Sequence, residues 1–330
     1  MILMWIGFLA FVGMLLALDL GVFNKNAHAP TIREALAFTA MTVALAIGFA
    51  GFIYEAYEFH WNGLGLIRDA VDGQINDGRL ATVKFVTGYI VEMSLSMDNV
   101  FVMALLFEHL KVPKTLQHRV LFWGILGALA MRGAMIGGGT ALVARYHGIL
   151  YFFGAFLVFT AIKMLLAKEK EEEPEEAWVV RWLTRHFPVT RGFHGSRFVI
   201  VVDGKWSLTP LAVALVLVET TDLVFAVDSI PAIFAITTDA FLVFTSNVFA
   251  ILCLRSLYFG LAGLIEKFRY LKISLAVILA IVGIKMLAAK WMAERFGEAQ
   301  NFGMLAIVAG ILIAGSLASV VADRRQKRNS

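Results

Sequence analysis

Residues 209–236 read TPLAVALVLVETTDLVFAVDSIPAIFAI, an apolar run that carries Glu219, Asp222 and Asp228 and no basic residue. About 20 mostly apolar residues suffice for a helix to cross a bilayer, so the run is long enough to span. An ionised carboxylate at the centre of a span costs on the order of 2.5–3.5 kcal/mol unless it is paired or hydrated. A segment that is both membrane-length and repeatedly acidic therefore points to a functional span.

The pattern extends outward from this run. The chain has 330 residues, 59% hydrophobic and 16% charged, with a mean hydropathy of +0.77; a soluble domain is nearer to half apolar and a quarter charged. Nine candidate spans follow, at residues 1–23, 35–54, 83–108, 119–144, 148–168, 209–236, 241–264, 272–292 and 301–322. The expected fold class is an all-α polytopic membrane protein. Ala27-His28-Ala29 resembles a signal-peptide cleavage site, but no basic residue precedes the first apolar run and Asp19 interrupts it. Residues 1–23 are accordingly read as a retained span. The single cysteine, Cys253, excludes a disulfide framework and cysteine-based zinc or iron–sulfur sites.

Charge sorts the loops by side. Of the 29 Lys and Arg residues, nineteen fall in loops opposite the N-terminus and six on its own side. Arg132, Lys163, Arg255 and Lys285 lie inside spans. The positive-inside rule then places the N-terminus outside and the C-terminus in the cytoplasm. The pI of 9.1 reflects this topology and the lipid bilayer, not nucleic acid.

The chain also repeats itself. Ala161–Lys168 (AIKMLLAK) returns as Gly283–Lys290 (GIKMLAAK), 122 residues on. Leu129-Ala130-Met131-Arg132 resembles Leu252-Cys253-Leu254-Arg255, and Glu92-x5-Asp98-Asn99 resembles Asp222-x5-Asp228-Ser229. The matches keep their order at nearly constant offset. Three spans per copy would invert the second copy in the membrane, an arrangement that in transporters places the site at the repeat interface. The competing reading is an old duplication kept for packing. The chain is thus divided into 1–54 (two spans), 55–82 (an extracytoplasmic loop), 83–168 (first repeat), 169–208 (a cytoplasmic linker), 209–292 (second repeat) and 293–330 (a final span and basic tail).

The carboxylates of the spans, Asp19, Glu92, Asp98, Glu219, Asp222 and Asp228, outnumber the arginines that could neutralise them, Arg132 and Arg255. Bound metal, protons or a water-filled cavity would each resolve the excess. Six residues turn an α-helix by about 240°, so Glu92 and Asp98 do not share a face of a straight helix, nor do Asp222 and Asp228. A break in each helix would let them converge, and Pro231 supplies a cause in the second repeat by freeing the carbonyl of Val227. Carboxylates, the Asn99 amide and the Ser229 hydroxyl form an oxygen set suited to Mg²⁺, Ca²⁺ or Mn²⁺. Met93 and Met97 stand nearby either as packing or as sulfur donors that favour Mn²⁺ over Ca²⁺. Lys163 and Lys285 lie near span ends and are expected to snorkel to the headgroups.

Two stretches, 92–101 (EMSLSMDNVF) and 218–235 (VETTDLVFAVDSIPAIFA), together with 245–252 (TSNVFAIL) and Leu254-Arg255, resemble the signatures of the TerC family of bacterial membrane proteins, and the nine-span layout and overall length are most similar to its Alx-like branch. The resemblance covers nearly the whole chain. It implies Mn²⁺ export across the inner membrane by a protein with inverted three-helix repeats.

The residues and the resemblance together give an expected metal site of Asp98, Asp228, Glu92, Asp222, Asn99 and Glu219. Asp19, Ser229, Arg132 and Arg255 support it. No prosthetic group and no enzymatic activity are expected, Mn²⁺ is the transported ion, and clustered carboxylates that share protons without metal make protons a candidate counter-ion. The rival class is a membrane partner protein that binds metal or hands it to a secretion complex or exported enzymes. No G-x-G-D signature stands beside Asp98 or Asp228 to support an intramembrane protease. In the linker, 169–176 (EKEEEPEE) reads as a solvated acidic run, Trp178, Trp182 and Leu183 suggest a short interfacial helix, and 198–207 reads as a hairpin turning at Asp203-Gly204.

Overall fold

The structure is a computed structural model that describes residues 1–18, 32–146, 148–166, 176–190, 192–202, 204–261 and 271–329. With no water in a bilayer core to satisfy backbone groups, a spanning chain must bond them within a helix or a closed barrel. The apolar runs here take the helical solution. In chain order they are α1 (Ile2–Leu18), α2 (Ile32–Glu58), α3 (Gly78–His109), α4 (Lys114–Arg145), α5 (Ile149–Leu166), α6 (Glu176–His186), α7 (Pro210–Phe234), α8 (Ala240–Leu261), α9 (Leu271–Leu287), α10 (Ala289–Phe296) and α11 (Ala299–Asn329), with β1 (Val199–Val202) and β2 (Lys205–Leu208) between α6 and α7.

Seven of these, α2, α3, α4, α5, α7, α8 and α11, are long and apolar enough to cross a membrane. An eighth span exists if α9 and α10 count as one; they meet at 80°. The run 272–292 is therefore not one straight span as its hydropathy suggests. It turns at Ala288, whose backbone leaves the helical region (φ −96°, ψ 12°). The remaining apolar helix, α1, has 17 described residues, about 25 Å at 1.5 Å per residue. Asp19 lies outside the described residues, as does nearly all of the acidic run 169–176.

Local chemistry sets the helix starts. Asp77 caps α3 by accepting from the Leu80 N–H at 2.7 Å. Thr209 caps α7, with Pro210 in the first turn where its missing N–H costs nothing. Both α3 and α7 run unbroken past their acidic residues, Pro231 included. The expected breaks are absent, and the carboxylates must be placed by straight-helix rotation.

Helix α8 is central, packed against α2, α3 and α4. Its Phe249 ring lies 4.9 Å from Phe49 of α2 and 6.0 Å from Phe85 of α3, centre to centre. The pair α5 and α9 cross through glycines: a Cβ on Gly283 would sit 2.9 Å from the Gly154 carbonyl oxygen and 3.0 Å from Leu157 Cβ. Small residues give close backbone approach, the principal source of helix association in lipid. Gly283→Leu is expected to cost about 1–3 kcal/mol through overpacking, read as a lower unfolding temperature in detergent.

The linker forms the expected hairpin, with Val202 paired to Lys205. On α6, Val179 and Leu183 face inward while Trp178 and Trp182 are exposed.

Candidate metal-ion site

Arg132, midway along α4, is 1% exposed and lies between carboxylates of two other helices. Its Nη2 donates to Asp222 Oδ1 at 2.9 Å and its Nε to Asp222 Oδ2 at 3.2 Å. This is the two-pronged contact that a planar guanidinium makes with a carboxylate. Its Nη1 donates to Glu92 Oε1 and, at longer range, to Asn247 Oδ1 (3.3 Å) and Ser229 Oγ (3.5 Å). Asn99 Nδ2 reaches Asp222 Oδ1 at 3.4 Å. Glu92, Asn99, Asp222, Ser229 and Asn247 are all buried.

Straight-helix geometry explains this company. Residues seven apart differ by only about 20° around a helix. Glu92 and Asn99 therefore share a face of α3, and Asp222 and Ser229 a face of α7, and both faces meet Arg132. Asp98 and Asp228 sit one position away, turned by about 100°. They line the adjoining cavity of about 50 Å³ with Leu95, Asn99, Arg132 and Ser229. A water needs roughly 10–15 Å³ of such space, so this volume admits a few waters or an ion with part of its shell. Thr160 of α5 donates to Asp228 Oδ1 at 3.3 Å.

Five of the six expected site residues thus fall into two groups, the second joined by the supporting Ser229. Glu92 and Asp222 hold the guanidinium, while Asp98, Asp228, Asn99 and Ser229 surround the cavity. Glu219 stands apart, one turn before Asp222, against Gly127 of α4. Among the described residues, no three His, Cys, Asp or Glu side chains stand close enough together to hold a metal ion. Acceptor capacity remains, however: Glu92 Oε2, Asn99 Oδ1, Ser96 Oγ and Glu219 Oε2 are buried with no hydrogen-bond partner. Neither Met93 nor Met97 lines the cavity; Met164 does. Arg255 lies on α8, and its side chain is outside the described residues.

A second charged network, which the sequence reading missed, ties the 59–77 loop to α3, the α7–α8 turn and α11. Lys84 of α3 is fully buried and bonds Asp69, Asp72 and Asn76 of the 59–77 loop, each at 2.8 Å. Asp69 also accepts from Thr237 and, at 3.0 and 2.9 Å, from the N–H and hydroxyl of Thr238, both in the α7–α8 turn. Asp72 accepts from Asn301 of α11 at 2.9 Å. Lys285 of α9 donates to Asn301 Oδ1 at 3.2 Å. Lys285 is therefore 2% exposed and does not snorkel, whereas Lys163 is exposed as expected. Gly65 permits the loop's fold: its φ is +71°, and a Cβ there would strike the Asn76 carbonyl.

Burial pushes the Asp69 carboxyl up, but the Lys84 charge and hydrogen bonds from Lys84, Thr237 and Val71 outweigh it and hold it at about 2. A folded pKa below the unfolded value of about 3.9 adds stability above that value, lost as pH falls through the folded one. The stability gap between wild type and Asp69→Asn is expected to be constant from pH 7 to about 5 and to shrink toward pH 2. Unfolding temperatures across that range measure it.

Membrane-length helices packed around buried charge define a polytopic α-helical membrane protein. The chain belongs to the TerC family: the family model described as integral membrane protein TerC family matches residues 78–327. It is 44% identical over 321 residues to the membrane protein STKORF319 of Myxococcus xanthus, covering 97% of this chain and 93% of that one. Alx of Photorhabdus laumondii, named as a proposed membrane-bound redox modulator, is 42% identical over 322 residues, or 96% and 94% of the two chains. Alx of Escherichia coli K12, named likewise, is 46% identical over 286 residues, or 86% and 85%. No solved structure matches the chain.

Proposed function

We propose that this chain is a divalent-metal transporter that moves Mn²⁺ out of the cytoplasm by alternating access between the units α3–α5 and α7–α9. It would lie in a bacterial inner membrane with its N-terminus outside. The observation that carries the reading is the cavity between Asp98 and Asp228, membrane-helix carboxylates joined there by Asn99 and Ser229. Hard oxygen donors completed by water suit Mn²⁺ or Mg²⁺ geometry. In this reading the Lys84 network is the outer gate, and the ion enters the cavity from the linker side.

The redox role in the names of the Alx relatives favours no second chemistry here. One buried cysteine, Cys253, offers no dithiol pair within the chain. A metal-binding partner protein remains the rival class, and binding without flux is its signature.

Equilibrium binding of ⁵⁴Mn²⁺ to purified protein tests the site itself. Asp98→Asn and Asp228→Asn are each expected to weaken binding at least tenfold, about 1.4 kcal/mol. Wild-type affinity in both folded variants would remove the cavity as the site.

A further inference from the structure

We propose that the Arg132 guanidinium is a tethered counter-ion. It holds the Glu92–Asp222 pair when no substrate cation is bound and gives the pair up when one arrives. This deepens the transporter reading above and rests on it.

The argument begins with charge. Two buried carboxylates from different helices face one guanidinium, leaving the trio one negative charge in excess. A divalent cation in the guanidinium's place would bring the pair to neutrality. Arginine keeps its proton in proteins, so its compensation is permanent and needs no exchange with solvent.

Geometry supplies the second step. Arg132 itself borders the cavity of Asp98 and Asp228, so a cation drawn there comes up against Arg132. It can reach Glu92 and Asp222 only as the guanidinium withdraws. The pair is also under-satisfied by arginine alone. Glu92 Oε2 and Asn99 Oδ1 are buried and have no partner, and both belong to residues already bonded into the Arg132–Asp222 group. A guanidinium offers donors in one plane. A metal ion with six or more oxygen ligands takes donors from all sides. The unpartnered oxygens are the ones that an ion could recruit and the guanidinium does not.

The consequence is a division of labour in the cycle. The Glu92–Asp222 pair is neutralised by metal in the loaded carrier, and in the returning carrier Arg132 offsets one of its two charges, the part given to protons in the sequence reading. An ionised carboxylate pair without either cation is held back by its desolvation cost.

Reconstituted wild type, Arg132→Gln and Arg132→Lys decide the matter. The three readouts are ⁵⁴Mn²⁺ binding, Mn²⁺-for-Mn²⁺ exchange, and net flux into lumen without Mn²⁺. Removing the tethered competitor is expected to tighten binding about tenfold in Arg132→Gln and to cut net flux about tenfold, with exchange reduced far less. Equal loss of exchange and net flux with weaker binding would show a scaffolding arginine and overturn the proposal. If Arg132→Gln does not fold, Arg132→Lys carries the test: net flux reduced more than exchange supports the proposal, and equal loss overturns it. If the wild type moves no Mn²⁺ in either mode, it is the transporter reading that fails. The counter-ion is then judged on binding alone, and an unchanged or weaker affinity in Arg132→Gln overturns it.

Discussion

Lys84→Met is expected to destabilise the protein by about 3–5 kcal/mol, the penalty for leaving buried carboxylates without their partner. Lys84, Asp69 and Asp72 all have 0% exposed side chains. The ammonium also bonds Asn76, so its loss takes the cation from two buried carboxylates and a donor from a third acceptor in one step, leaving Asp69 and Asp72 only neutral donors. Methionine fills a similar volume, which separates the charge effect from a cavity. Unfolding in detergent micelles measures the loss. A triple variant that adds Asp69→Asn and Asp72→Asn is expected to recover part of it, since neutral amides cost less to bury than unpaired carboxylates. A loss below about 1 kcal/mol would mean that the network behaves as a solvated surface pair.

Locking the same network is expected to stop transport. The Ala70 N–H donates to Thr238 Oγ1 at 3.0 Å, which brings the 59–77 loop into contact with the α7–α8 turn. A disulfide tolerates only a narrow range of approach, and this pair is in contact. In a Cys253→Ser background, which removes the chain's only thiol, Ala70→Cys/Thr238→Cys should bridge on oxidation. Flux through the oxidised protein should fall to about a tenth or less, recover with reductant, and leave Mn²⁺ binding intact, because closure acts on one conformational state only. Full flux through the bridged protein would place the gate elsewhere.

The membrane helices were legible because their signal is local. Each run declares itself by hydropathy, and helices are what a bilayer allows an open chain to form. The 80° turn between α9 and α10 has no such signal, as neither glycine nor proline stands at Leu287-Ala288. The acidic residues were legible as a set, since charge in a span is costly wherever it points. Their grouping was not. It depends on how three helices are rotated against one another, although the seven-residue spacings Glu92/Asn99 and Asp222/Ser229 already marked the faces that meet Arg132. Expecting helix breaks obscured that spacing. The Lys84 network was illegible for a different reason. Residues 68–77 read as an ordinary polar loop, and its partners Thr237, Thr238 and Asn301 lie 168 to 229 positions away in sequence.

The most direct test of the account is ⁵⁴Mn²⁺ flux in proteoliposomes carrying wild-type protein, Asp98→Asn or Asp228→Asn. The account predicts saturable flux by the wild type and a loss of at least about tenfold in each folded variant. Mn²⁺ bound by the wild type but never moved across the bilayer would contradict it and leave a metal-binding partner protein in its place.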